Sequence, residues 1–163
     1  MPKADLHVHQ EATRYLDVIL AEREGRQPYD WSAWRRRLAA EIPPGKERLQ
    51  HIGSVQPVGL EHDDDDELFV ARFAALMRDH AAAGACYVEI RCGGEVVTRD
   101  GFMSMFRQAE RQVRADYPRL RAEALAIVIQ AEQNREGMDA FADDCVRAAG
   151  EGLAGIDFLY APY

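Results

Sequence analysis

Residues 83–91 read AGACYVEIR, and this stretch contains the change of periodicity that decides the fold. Before it, apolar residues recur every three to four positions from Glu67 to Ala83, which is typical of a helix, and the glycine that follows is a helix stop signal. Directly after that glycine, apolar and polar residues alternate, which predicts a strand over Tyr87–Arg91. Helix and strand are therefore predicted to follow each other with almost no connection.

The same rhythm extends over most of the 163 residues. Four strands are predicted, at about residues 4–9, 87–91, 124–129 and 153–158, with helical patterns between them. The region 26–66 is less regular: it has one short predicted helix around residues 31–38, which Pro43-Pro44-Gly45 ends. Strands that alternate with helices predict an α/β chain with a parallel sheet and right-handed crossovers.

Polar residues on one face of the strands favour a barrel over an open sheet. Helices cover both faces of an open parallel sheet, whereas a barrel strand shows one face to the helices and the other to the lumen. Three of the four predicted strands place ionisable residues on a single face: Asp5, His7 and His9 in the first, Tyr87, Glu89 and Arg91 in the second, and Asp157 in the fourth. In the first strand, this alternation places Leu6 and Val8 together on the opposite face. We predict a partial TIM (β/α) barrel with about four of its eight βα units.

Charge and composition narrow the range of partners and locations. A formal charge of -8, from 28 acidic and 20 basic residues, argues against nucleic acid or an anionic membrane as a partner. No apolar run approaches the about 20 residues of a membrane span, and the first residues lack the pattern of a signal peptide. Cys86 and Cys92 lie at opposite ends of one predicted strand and are too far apart to bridge. We expect a soluble cytoplasmic protein with reduced thiols and a small-molecule ligand.

His7 and His9 are the residues best suited to chemistry. Two histidines at positions i and i+2 of a strand project from one face, from which both imidazoles reach a single zinc ion at about 2.0–2.1 Å. The pair ends the first predicted strand, where barrel enzymes carry catalytic groups. The acidic run 63–66 precedes a helical pattern and is interpreted as a helix start. The other histidines lie away from predicted strand ends and are expected to have surface or capping roles: His51, His62 and His80.

The stretch PKADLHVHQE at residues 2–11 resembles the opening of the adenosine deaminase family, in the metal-dependent amidohydrolase superfamily. Two later stretches agree with it: residues 83–91 are similar to the second strand of that family, and residues 155–157 to the start of its fourth. The resemblance covers nearly all of residues 1–163. It identifies them as the N-terminal half of an amidohydrolase-type barrel, with an irregular insertion at about residues 26–66.

The resemblance implies that His7 and His9 bind Zn²⁺ and that Glu11 contacts the sugar hydroxyl of a nucleoside-like substrate. It implies a hydrolase of purine metabolism in which zinc lowers the pKa of a bound water to about 7 and hydroxide displaces an amine. In the family, the third zinc histidine and the catalytic residues come from strands five to eight. No catalytic residue is therefore expected within this chain, and weak metal binding and little activity are expected of it alone.

Three inner residues are candidates for ion-paired support of the lumen: Glu89, Arg91 and Asp157. Two positions depart from the family pattern and put a preference for adenosine in question. Ala12 replaces a glycine, and residues 158–160 read Phe-Leu-Tyr where the family has a glycine that allows close approach to the purine.

Two other functions stay open. A half barrel leaves its first and fourth strands unpaired, so the chain is alternatively a non-catalytic split or degenerate half that pairs with a second copy or with a C-terminal half. A metal-dependent phosphoesterase also opens with two histidines at this spacing, but that class would show Thr or Ser soon after them and further metal ligands nearby.

Overall fold

The computed structural model describes residues 2–10, 14–48, 65–129 and 134–159. The chain divides into two compact units, one formed by residues 1–10 and 60–163 and the other by residues 11–59. The smaller unit contains helices α1 (Arg14–Glu24) and α2 (Trp31–Glu41). Gly25, with φ of 65°, follows the end of α1, and α2 is the helix predicted within the irregular region.

The larger unit alternates strands and helices. Its elements are β1 (Lys3–His9), α3 (Asp66–Ala82), β2 (Ala85–Cys92), α4 (Gly94–Val97), α5 (Phe102–Arg114), β3 (Arg121–Ile129), α6 (Arg135–Gly150) and β4 (Gly155–Leu159). All four strands are parallel and lie in the order β1-β2-β3-β4. Strands that neighbour each other in chain order are typical of a barrel, whereas a doubly wound sheet reverses its order at a switch point. The predicted partial TIM barrel is confirmed.

One face of the sheet forms the hydrophobic core with the helices. Buried residues alternate along the two central strands on this face: Val88, Ile90 and Cys92 in β2, and Ala122, Ala124, Ala126 and Val128 in β3. Helices α3 and α5 contribute a phenylalanine cluster whose ring centroids lie 5.1 to 6.3 Å apart: Phe69, Phe73, Phe102 and Phe106. The opposite face, called the inner face below, carries the polar residues of β2, Tyr87, Glu89 and Arg91. A core face and a polar face are what a barrel strand requires.

Helix α3 begins and ends at residues that the sequence indicates. Asp65 is its N-cap, because its Oδ1 accepts a hydrogen bond from the backbone N–H of Leu68 at 2.8 Å. Asp66 lies in the first turn, so the acidic run does mark a helix start at these two residues, while residues 63–64 lie outside the described part. At the other end Gly84, with φ of 93°, turns the chain directly into β2.

The structure differs from the predicted boundaries mainly at the amino ends of strands. β2 begins at Ala85 rather than Tyr87, β3 at Arg121 rather than Ala124, and β4 at Gly155 rather than Leu153. The sequence does not predict α4, because four residues are too short to show a helical period.

The cysteines have free thiols, as expected: Cys86, Cys92 and Cys145. Burial, and to a smaller extent the charge of Asp144, raises the pKa of the Cys145 thiol. That thiol therefore stays protonated and unreactive near neutral pH.

None of the helices in the described ranges combines the length and the apolar character that crossing a bilayer requires. The cytoplasmic location stays a prediction.

Candidate functional site

His7 and His9 face each other at the carboxyl end of β1. Their Nε2 atoms are 3.1 Å apart, and their ring centroids are 5.0 Å apart. Two nitrogens that bind one tetrahedral zinc ion at 2.0–2.1 Å are about 3.3–3.4 Å from each other. The rings therefore need to separate by only a few tenths of an ångström to hold a common ion. The structure brings the two histidines together on one face, and their role as ligands stays a prediction.

β1 departs from regular alternation between Asp5 and Val8, a segment that includes the first histidine and ends just before the second. Between Asp5 and Val8, three steps along β1 match only two steps along β2, so β1 contains one extra residue. Such a β-bulge changes which face the following side chains occupy. Val8 is 5% exposed and belongs to the core, whereas Leu6 is 55% exposed. The prediction that Leu6 and Val8 share a face is therefore wrong, and the bulge is the physical reason.

Asp5 is also placed differently from the prediction. Its Oδ2 lies 3.2 Å from Nδ1 of His80, so the carboxylate reaches α3 rather than the inner face. Its Oδ1 accepts a hydrogen bond from the backbone N–H of His7 at 3.3 Å. The expectation that Asp5 lines one face with the two histidines is wrong, because the bulge lies between them. His80 pairs with a strand residue, and His51 and His62 lie outside the described residues.

Arg91 is the centre of a polar network on the inner face. Its Nε donates a hydrogen bond to Oδ2 of Asp157 on β4 at 2.9 Å. Its Nη1 donates to the backbone carbonyl of Leu6 on β1 and lies 3.5 Å from Oε2 of Glu89. The guanidinium connects three strands although the residue is only 9% exposed. A charge buried to this extent needs several partners, and Arg91 has them. The structure thus brings together the three residues predicted to support the lumen.

Tyr87 extends this network towards the amino end of β2. Its hydroxyl donates a hydrogen bond to Oε1 of Glu89 at 3.2 Å. Burial raises the pKa of the Tyr87 phenol, and the hydrogen bond and the charges of Glu89 and Glu123 raise it further. Glu123 lies level with Glu89 on the neighbouring strand β3. The sequence prediction misses Glu123 because it starts that strand one residue later, at Ala124.

The other residues singled out near the site lie outside the described ranges: Glu11, Ala12 and Tyr160. Gln10, which directly follows His9, is buried, and its Oε1 accepts no hydrogen bond from the described residues. A buried amide oxygen without a partner costs about 1–3 kcal/mol. Gln10 is therefore a further polar group of interest at this end of β1, and the sequence prediction does not single it out. Its position directly after His9 is the one sequence feature that indicates it.

The histidine pair alone does not complete a metal centre. Zinc sites in proteins use three or four protein ligands. Within residues 2–10, 14–48, 65–129 and 134–159, no group of three or more His, Cys, Asp or Glu side chains is placed to hold one ion. Among the described residues, the histidine pair therefore offers two candidate ligands, one or two fewer than a complete site needs.

Comparison with known proteins shows which solved structures have a similar fold. No protein-family model matches the sequence, and no match is found among curated proteins. An adenine deaminase from Arthrobacter aurescens superposes with a TM-score of 0.63 at 20% identity, over 99% of this chain and 49% of that one. An amidohydrolase from Burkholderia ambifaria with bound Zn superposes with a TM-score of 0.64 at 20% identity, over 99% of this chain and 44% of that one. The chain shares the fold of these structures and spans about half of their length.

Proposed function

We propose that this chain is the histidine-bearing half of a zinc-dependent hydrolytic deaminase of the amidohydrolase superfamily. The observation that carries the proposal is the 3.1 Å separation of the His7 and His9 Nε2 atoms at the end of β1. This end of a barrel strand is where barrel enzymes carry their catalytic groups. The fold that the chain shares with an adenine deaminase and with a Zn-containing amidohydrolase supports the same chemistry.

The two imidazoles are suited to hold a cation. For both Nε2 atoms to act as ligands, each ring keeps its proton on Nδ1 and presents a lone pair from Nε2. Two such lone pairs 3.1 Å apart repel each other unless a proton or a cation lies between them. Zinc bound there would supply Lewis-acid chemistry, lowering the pKa of water to about 7. The carboxylate that moves the proton belongs, by the family resemblance, to strands outside the four described here.

The proposed substrate is a purine-like ring with an exocyclic amine. The family resemblance implies a nucleoside, whose sugar hydroxyl would contact Glu11. The adenine deaminase that shares the fold acts, by its name, on the free base. Adenosine and adenine are therefore the two substrates to compare.

Zinc titration of the full chain tests the metal part of the proposal. Zinc should shift the ring signals of His7 and His9 in histidine NMR spectra. Removal of a direct ligand, in His7→Ala or His9→Ala, should weaken zinc binding by more than the about 10- to 100-fold typical of losing an outer partner. Cys86→Ala is the matched control, because it removes a possible zinc ligand at the other end of the sheet. Equal zinc binding by all four proteins would show that the proposal is wrong.

Ammonia release tests the reaction. Zinc held by two histidines is bound weakly, so the 163-residue chain alone should turn over adenosine or adenine slowly or not at all. Any activity should disappear with a chelator and return with zinc. Deamination at an ordinary enzyme rate by this chain alone would contradict the expectation that other strands supply the catalytic residues.

A non-catalytic half-barrel is the second candidate, because β1 and β4 are the edge strands of the described sheet. On β4, Phe158 is 60% exposed, and an apolar edge strand favours pairing with another chain. The occupant we propose is four further βα units that close the barrel, from a second copy or a C-terminal half. Mass in solution and zinc content separate the candidates: a dimer without metal supports the scaffold, and one metal per closed barrel supports the enzyme. No feature of the described residues favours the phosphoesterase alternative.

A further inference from the structure

We infer that Arg91 is a positioning residue for His7 and His9, because it holds the bulge of β1 that orients them. The inference rests on the proposed function for its metal readout, whereas the geometry of the histidine pair is measurable without metal. Arg91 contacts the backbone of β1, and it is through this backbone that it would position the two imidazoles.

The contacts of Arg91 lie on both sides of the histidine pair. Its Nη1 donates a hydrogen bond to the carbonyl of Leu6, the residue directly before His7. Its backbone carbonyl accepts a hydrogen bond from the N–H of Gln10, the residue directly after His9, at 3.0 Å. One residue of β2 therefore fixes β1 immediately before and immediately after the pair.

The side-chain contact of Arg91 with β1 lies within the bulge. A bulge interrupts the backbone hydrogen bonds between two strands, and the polar groups there require other partners. The guanidinium of Arg91 supplies a donor to the carbonyl of Leu6, within the bulge. The bulge sets the face of the residues after it, so this contact bears directly on where the imidazoles project.

Arg91 is in turn held from the opposite side. Its Nε donates to Oδ2 of Asp157 on β4 at 2.9 Å, and Glu89 provides a second carboxylate at 3.5 Å. His9 lies level with Arg91 across the β1–β2 pair. A planar guanidinium fixed at two of its nitrogens has little freedom, which a flexible lysine ammonium would not reproduce. The result is a cross-link from β4 through β2 to the bulge.

Arg91→Met tests the inference, because methionine preserves much of the side-chain volume and removes every donor. Arg107→Met is the matched control. Arg107 also pairs with a strand carboxylate, Glu123, at 2.6 Å, and donates to the Ala122 carbonyl at 2.6 Å, near the amino end of β3. Both changes remove a guanidinium that bonds to a strand, Arg91 from β2 and Arg107 from helix α5. The strand contacts of Arg91 include β1, whereas those of Arg107 are with β3.

The first readout is the nuclear Overhauser effect between the ring protons of His7 and His9 in the metal-free protein. It should be lost in Arg91→Met and kept in Arg107→Met, while circular dichroism shows both proteins folded. The second readout is zinc affinity, which should fall about 10- to 100-fold in Arg91→Met only. Arg91→Lys keeps the charge without the planar donor set. Compared with Arg91→Met, it should regain more of the free energy of unfolding than of the contact between the His7 and His9 rings.

The outcomes separate this inference from the proposed function. If Arg91→Met keeps both the ring contact and the zinc affinity of the wild type, the inference is overturned and the proposed function stands. If the wild type does not bind zinc, the proposed function fails and the metal-free ring contact still decides the role of Arg91. If Arg91→Met does not fold, the nearly isosteric Asp157→Asn takes its place: a weakened ring contact supports the inference, and an unchanged one overturns it.

Discussion

The hydroxyl of Tyr87 donates a hydrogen bond to Oε1 of Glu89, two residues further along β2, at 3.2 Å. An ionised phenolate at this position would face a carboxylate instead of donating to it. Burial, the hydrogen bond and the neighbouring carboxylates all favour the protonated phenol, which is why its pKa is raised.

Stability at alkaline pH should depend on Tyr87. Because the folded pKa lies above the ordinary value of 10.0, the folded state binds the phenolic proton more tightly than the unfolded state does. This contribution is fully present below the ordinary pKa and is lost as pH rises through the raised folded value. Tyr87→Phe should lower the free energy of unfolding by about 1 kcal/mol near neutral pH and flatten its decrease above about pH 10.

Urea unfolding at a series of pH values measures this effect. A Tyr87→Phe profile parallel to that of the wild type above pH 10 would contradict the assignment.

Phe73 should be among the most sensitive positions of the core. It is fully buried, and its ring centroid lies 5.1 Å from that of Phe69 and 5.2 Å from that of Phe106. Phe73→Ala leaves a cavity between α3 and α5 and should lower the free energy of unfolding by about 3–5 kcal/mol. Phe158→Ala removes the same side chain from an exposed position and should change the free energy of unfolding by about 0.5 kcal/mol or less. Denaturant unfolding compares the two, and equal losses would argue against the core described here.

The N-cap of α3 should contribute measurably to stability. Asp65→Ala removes the acceptor of the Leu68 N–H and should destabilise the fold by about 1 kcal/mol. Asp65→Asn keeps an acceptor oxygen and removes only the charge, so it should retain most of that stability. Thermal unfolding of the three proteins decides the matter. An Asn variant as unstable as the Ala variant would show that charge, rather than the hydrogen bond, is what matters at this end.

The parts of the fold that the sequence predicts are those with local causes. Val88 and Ile90 alternate with Glu89 and Arg91, so one stretch of β2 indicates both the strand and its two faces. Gly84 marks the end of α3 because few other residues adopt its positive φ. Such local signals are enough to predict the four strands and the longer helices between them.

The bulge of β1 could not be predicted in this way. Residues 4–9 alternate without a break, yet the structure inserts an extra residue, because Asp5 pairs with His80 while Val8 joins the core. These partners lie far along the chain. The same holds for the site: the spacing of the histidines is local, whereas Arg91 contacts a carbonyl 85 positions away and a carboxylate 66 positions away. The sequence indicates such residues as candidates and does not indicate the connection between them.

The extra residue in β1 also bears on which changes of chain length the strand tolerates. A regular strand over the same span cannot direct Asp5 towards α3 and also seat Val8 in the core, because the two requirements differ in phase by one residue. Deleting one residue between Asp5 and Val8 would therefore remove either the contact of Asp5 with His80 on α3 or the present orientation of the imidazoles. The seven residues of β1 thus have two roles: the first part anchors β1 to its surroundings, and the second carries the histidine pair.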